Sequence, residues 1–139
     1  METTLNAYLF FDGECREAMA FYRKIFGGEL HMQTFGEVDQ SCPAAKRDSI
    51  MHANLMGGEV TLLGSDNADS HPLGTGKISL ALAGNAEEKL RKMFAGLSEG
   101  GKVMIPLAKQ VWGDEFGVLT DKFGVDWMVN IANGNGREG

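Results

Sequence analysis

Residues 15–28 read Cys15-Arg16-Glu17-Ala18-Met19-Ala20-Phe21-Tyr22-Arg23-Lys24-Ile25-Phe26-Gly27-Gly28. Ala18, Phe21, Tyr22 and Ile25 recur at the i, i+3, i+4, i+7 spacing of one helix face. The two glycines end that helix, because glycine takes the left-handed C-terminal conformation without a Cβ clash. Asp12 is the expected N-cap. Working outward, Leu5 to Phe11 is apolar and aromatic, stops at Asp12-Gly13, and predicts a strand. Strands are expected again over Glu29 to Phe35, Ile50 to Met56 and Glu59 to Gly64. The last two are separated by Gly57-Gly58, a two-residue hairpin signal.

The same order then recurs. Lys77 to Ala83 alternates like a half-buried strand, and Asn85 with Glu88 has the spacing of a capping box. The helix that follows has Ala86, Leu90, Met93, Phe94 and Leu97 on one face and closes at Gly100-Gly101. Strands follow at Lys102 to Leu107, near Phe116 to Thr120, and at Asp126 to Ile131. Gly13 answers to Gly84 and Gly28 to Gly101 at nearly equal spacings, so the chain reads as a duplicated βαβββ module. The expected class is α+β: residues 1–64 form the first module, 65–76 a linker, 77–132 the second module and 133–139 a frayed tail. Two such modules can turn their open sheet faces toward a shared cavity. The irregular stretch from Gly36 to Ser49 is a candidate lid or dimer arm.

Composition narrows the partners. The chain has 139 residues, with 13 Lys and Arg against 19 Asp and Glu, a formal net charge of −6. That sign argues against nucleic acid or an anionic membrane surface. No apolar run approaches the roughly 20 residues of a spanning helix, and Met1 to Phe11 lacks the basic start of a signal peptide. Two cysteines, Cys15 and Cys42, are too few for a disulfide framework, so a cytoplasmic protein with reduced thiols is expected.

Several segments carry a resemblance. They are Tyr8-Leu9-Phe10-Phe11-Asp12-Gly13, Ala20-Phe21-Tyr22 with Phe26-Gly27-Gly28, Met51-His52-Ala53-Asn54, and Trp112-Gly113-Asp114-Glu115-Phe116-Gly117. The most specific is Thr120-Asp121-Lys122-Phe123-Gly124-Val125-Asp126-Trp127-Met128-Val129-Asn130. With the repeat, they make the chain resemble the vicinal oxygen chelate (glyoxalase/bleomycin resistance/dioxygenase) superfamily, and within it the PhnB-like branch. The resemblance implies paired modules around a cavity, often a homodimer, and commonly one divalent metal that polarises substrate oxygens. The positions resembling the metal ligands are Asn6, Thr61, Lys77 and Met128. A protonated ammonium, a soft thioether and two neutral oxygens hold no first-row metal well, so no metal is expected. No glycine-rich loop follows a strand, so no nucleotide-type cofactor is expected either.

Strand alternation places Leu5, Ala7, Leu9 and Ile78, Leu80, Leu82 toward the helices. Asn6, Tyr8, Phe10 and Lys77, Ser79, Ala81 then face the cavity. His52 and Asn54 share a face, so His52 is the candidate catalytic base and Asn54 an orienting group. A satisfied core or interface histidine is the plainer use of His52. The candidate ligand-binding set is Asn6, Tyr8, Asn54, Thr61, Lys77, Ser79, Trp112 and Met128. Cys15 stands in the first helical turn, where the dipole favours thiolate, yet Glu14 and Glu17 oppose it and no histidine adjoins, so a nucleophile is not expected. Asp114 and Glu115, as strand neighbours, point to opposite faces. The expected function is binding of a small apolar or weakly anionic molecule without a divalent metal or other cofactor. The alternatives are a metal-dependent lyase, isomerase or dioxygenase using His52, or a structural homodimer with a vestigial cavity.

Overall fold

The computed structural model describes residues 5–66 and 78–132. The chain divides into two compact units, residues 1–75 and 76–139. In the first, β1 (Ala7–Phe10) leads into α1 (Cys15–Phe26) and β2 (Glu29–Thr34); a short α2 (Phe35–Val38) and a 3-10 turn (Ala44–Lys46) precede β3 (Ile50–Met56) and β4 (Leu62–Ser65). In the second, β5 (Leu80–Gly84), α3 (Glu87–Ser98), β6 (Lys102–Lys109), β7 (Glu115–Thr120) and β8 (Asp126–Ile131) follow in order. The sheets run β1-β4-β3-β2 and β5-β8-β7-β6. In each, the first and last strands pair in parallel and the other pairs are antiparallel. The two units therefore repeat one βαβββ topology.

The register fixes which residues face the helix. Ala7 pairs with Leu62, Leu9 with Gly64, Ala53 with Gly64, and Leu55 with Leu62. A Cβ built on Gly64 would meet Cys15 Sγ and Met19 Sδ at 3.2 Å, so this face lies against α1. Cys15, Ala18, Met19, Tyr22 and Phe26 are buried there with Ala53, Leu55 and Leu62. The stripe is rotated slightly from the expected one, leaving Phe21 and Ile25 half-buried. Each large apolar side chain so buried contributes about 1.5–3 kcal/mol. In the second unit Trp127, Val129, Ile131 and Leu119 pack with Leu90, Met93, Phe94 and Leu97 of α3. A Cβ on Gly117 would sit 2.8 Å from the Phe94 ring, which identifies the helix side.

Local departures have physical causes. Leu5 and Ile78 were expected to face the helices but are 98% and 80% exposed. Pairing begins only at Ala7 with Leu62 and at Leu80 with Trp127, so neither has a neighbouring strand to hold it. Asp12 does not cap α1; Asp66 Oδ1 accepts from the Gly13 and Cys15 N–H groups at 2.9 and 2.8 Å, while its Oδ2 accepts from Ile50 N–H at 2.9 Å. Asn85 and Glu88 form no capping box, and α3 starts at Glu87 without a side-chain cap. The Gly57-Gly58 turn is longer than two residues, because Glu59 N–H bonds back to Phe26 O at the end of α1. Ser65, expected to open the linker, closes β4. The stretch after β2 is folded on itself: Thr34 and Glu37 make a capping box, and Phe35 and Gly36 N–H groups bond Ser49 and Arg47 carbonyls. The expected linker beyond Asp66, with Lys77, and the expected tail lie outside the described residues.

Candidate functional site

The helix-free face of the first sheet carries the residues that alternate with the core. From β1 come Tyr8 and Phe10, from β4 Leu63 and Ser65, from β3 His52 and Asn54, and from β2 Gln33 and His31. Tyr8 pairs with Leu63 and Phe10 with Ser65; His52 lies beside Gln33 and Asn54 beside His31. Tyr8 and Phe10, two apart on one strand, stack with ring centroids 4.9 Å apart. The Tyr8 hydroxyl reaches across β4 to Nδ1 of His52 at 3.0 Å, with the rings 5.9 Å apart and tilted.

Among the described residues, Asn54 Oδ1 and Ser65 Oγ at this face are buried and find no hydrogen-bond partner. A buried hydroxyl or amide oxygen ordinarily finds a partner, in protein or in ordered water. Burial raises the Tyr8 phenol above its usual range, and the Cys15 sulfur adds to the shift. The nearby Ser65 hydroxyl pulls the other way, although no hydrogen bond of ordinary geometry joins the two. Beneath, on the helix side, burial and the Asp66 charge push the Cys15 thiol up to about 12, against a small opposing pull from Arg16. Desolvation thus outweighs the helix dipole, and the thiol is not a nucleophile at neutral pH.

Other expected site residues are placed as follows. Asn6 is exposed just before β1, and Thr61 is half-buried just before β4. Ser79 is exposed ahead of β5, and Lys77 lies outside the described residues. Met128 sits on the helix-free face of the second sheet, paired with Ala81. Trp112 occupies the turn between β6 and β7, 45% exposed and edge-on to Phe116 at 6.0 Å. Asp114 and Glu115 do diverge: Asp114 accepts from Asn130 Nδ2 at 3.1 Å, while Glu115 pairs with Arg91 of α3. Tyr8, His52 and Asn54 are therefore brought together on one sheet. Sequence reasoning missed Ser65, although continuing the period-2 pattern of β4 by one residue would have put it on the face of Leu63.

The donor set does not fit a divalent metal. Among the described residues no group of three or more His, Cys, Asp or Glu side chains is placed to hold one. Asn6, Thr61 and Met128 supply weak neutral oxygens and a thioether. His52 already has one ring nitrogen engaged by Tyr8.

Two modules of one topology, each with a helix on one sheet face and a polar-aromatic cluster on the other face of the first, define a paired-βαβββ protein. The chain belongs to the glyoxalase/bleomycin resistance protein/dioxygenase superfamily, whose family model matches residues 4–129. Within it, the chain is 34% identical to Protein YjdN of Escherichia coli (strain K12) over 144 aligned positions, covering 92% of this chain and 95% of that one. Its fold superposes on protein PA1353 from Pseudomonas aeruginosa with a TM-score of 0.80 and 40% identity, covering 94% and 98% of the two chains. The PhnB protein from Bacillus cereus gives a TM-score of 0.75 and 26% identity, covering 94% and 100%. The protein is thus a PhnB/YjdN-like member of the superfamily.

Proposed function

We propose that the helix-free face of the first module binds a small apolar or weakly anionic molecule without the divalent metal common in the superfamily. The observation that carries this is the Tyr8–His52 hydrogen bond beside the Tyr8–Phe10 ring stack. An apolar wall with a few fixed polar groups is the usual make-up of small-ligand sites. Glu29, at the end of the edge strand, is the carboxylate that alternation brings to this face, so an anion meets little local repulsion. The competing use of the same atoms, catalysis by His52 as a proton acceptor, requires an imidazole that gives its Nδ1–H to Tyr8 and leaves Nε2 bare. The proposal includes self-association into a homodimer, which the long edge strand β6, with Val103, Met104 and Ile105 exposed, supports.

The test is 8-anilinonaphthalene-1-sulfonate, an apolar anion, titrated by fluorescence into the full chain purified without chelator, alongside metal analysis by mass spectrometry. Saturable binding that weakens in His52→Ala and Tyr8→Ala, with substoichiometric metal, is the expected outcome. Stoichiometric zinc, nickel, iron or manganese, or binding indifferent to both substitutions, would sink the proposal. Sedimentation velocity at micromolar concentration reads the assembly state, and a monomer there removes the dimer from it.

A further inference from the structure

We infer that Tyr8 is a positioning residue that holds His52 with a bare Nδ1, so that the site offers a ligand the Nε2–H donor and selects molecules carrying an acceptor oxygen on an aromatic body, such as aryl carboxylates. This rests on the binding role proposed above and deepens it.

Two observations support the assignment. The 3.0 Å contact between the Tyr8 hydroxyl and Nδ1 admits two arrangements, one with the phenol donating and one with the imidazole donating. A phenol O–H is the stronger acid of the two, so it gives its proton to the nitrogen lone pair. With Nδ1 accepting, a neutral imidazole carries its hydrogen on Nε2, the nitrogen the Tyr8 bond leaves free. The Tyr8–Phe10 stack stands beside it as a flat surface for an aryl ring. His52 thus acts as a fixed donor rather than as a ready base at Nε2.

The full chain labelled with 15N-histidine tests this directly, because the two ring nitrogens report which of them carries the proton. His52→Gln assigns the signal among the three histidines. The wild-type ring is expected in one tautomer, protonated at Nε2, with Ser65→Ala unchanged and Tyr8→Phe relaxed to a mixture at an unaltered backbone amide spectrum. Sodium benzoate is expected to shift Nε2 in the wild type. Its affinity should fall about three- to tenfold in Tyr8→Phe, the range a single neutral hydrogen bond contributes. A wild-type ring protonated at Nδ1 overturns the positioning role even if the naphthalene sulfonate binds, and that measurement needs no variant to fold. A Tyr8→Phe ring still locked at Nε2–H overturns it too. A locked wild-type ring whose Nε2 ignores benzoate overturns the aryl carboxylate assignment. Loss of naphthalene sulfonate binding strikes instead at the binding role itself.

Discussion

Tyr8 and His52 stand on strands that are not neighbours, and the phenol hydroxyl bridges the intervening β4 to Nδ1 at 3.0 Å. Burial and the Cys15 sulfur raise the phenol's pKa. The acid form is therefore the one the fold favours. Its contribution is present below the ordinary tyrosine pKa and is lost as pH rises through the folded value. The phenolate absorbance difference between wild type and Tyr8→Phe should accordingly titrate above the ordinary tyrosine range. A midpoint at or below that range would contradict the burial argument.

Cys15 illustrates how packing overrides a local electrostatic hint. It lies at the start of α1, yet it is fully buried against Gly64, and its pKa rises from 9.0 to about 12. Native protein treated with iodoacetamide near neutral pH should alkylate Cys42 and spare Cys15, as peptide mass mapping would read. Because the folded pKa is raised, the stabilisation from keeping this thiol protonated is complete below pH 9 and fades as pH climbs from 9.0 towards about 12. Urea midpoints taken across that window should fall, and should fall less in Cys15→Ala.

Asp66 ties three elements together by accepting from Gly13, Cys15 and Ile50 N–H groups with its two oxygens. In Asp66→Asn one carboxylate oxygen becomes an NH₂ facing an N–H donor, which loses at least one charge-assisted bond and sets donor against donor. The expected cost is about 2–3 kcal/mol, read as a lower urea midpoint at unchanged slope. A shift within about 0.5 kcal/mol, the scatter of ordinary surface substitutions, would show that the three contacts carry little.

These residues also show what the sequence could and could not disclose. The extent of α1, β3 and β8 was legible because each has a strong period and a clear stop, such as Gly27 after Phe26. The likeness of the two modules was legible for the same reason; strand alternation turned Tyr8 away from the helix, and the two-residue spacing of His52 and Asn54 put those two on one face. The cap on α1 was not legible. Local spacing points to Asp12, whereas the observed carboxylate arrives from the far end of β4, and no short-range rule contains that geometry. Leu5 and Ile78 look like strand residues until the length of the partner strand is known, since exposure there depends on pairing rather than on pattern. The unpartnered Ser65 hydroxyl likewise exists only once three strands lie side by side.

Asp121 repeats the logic of Asp66 in the second unit, from inside the most specific sequence motif. Its Oδ1 accepts from Phe123 and Val125 N–H groups at 2.9 and 3.0 Å, and its Oδ2 accepts from Trp127 Nε1 at 2.9 Å. The carboxylate is 3% exposed, so water cannot take over these donors when it is removed. Asp121→Ala should destabilise the chain by about 3 kcal/mol or more, because several buried N–H groups lose their acceptor together. Trp127 fluorescence, followed through urea unfolding, reports the loss at the residue concerned. A companion Trp127→Phe, read by circular dichroism, removes one of these donors and leaves a cavity as well, so a cost below that of Asp121→Ala shows that the carboxylate also holds the turn between β7 and β8.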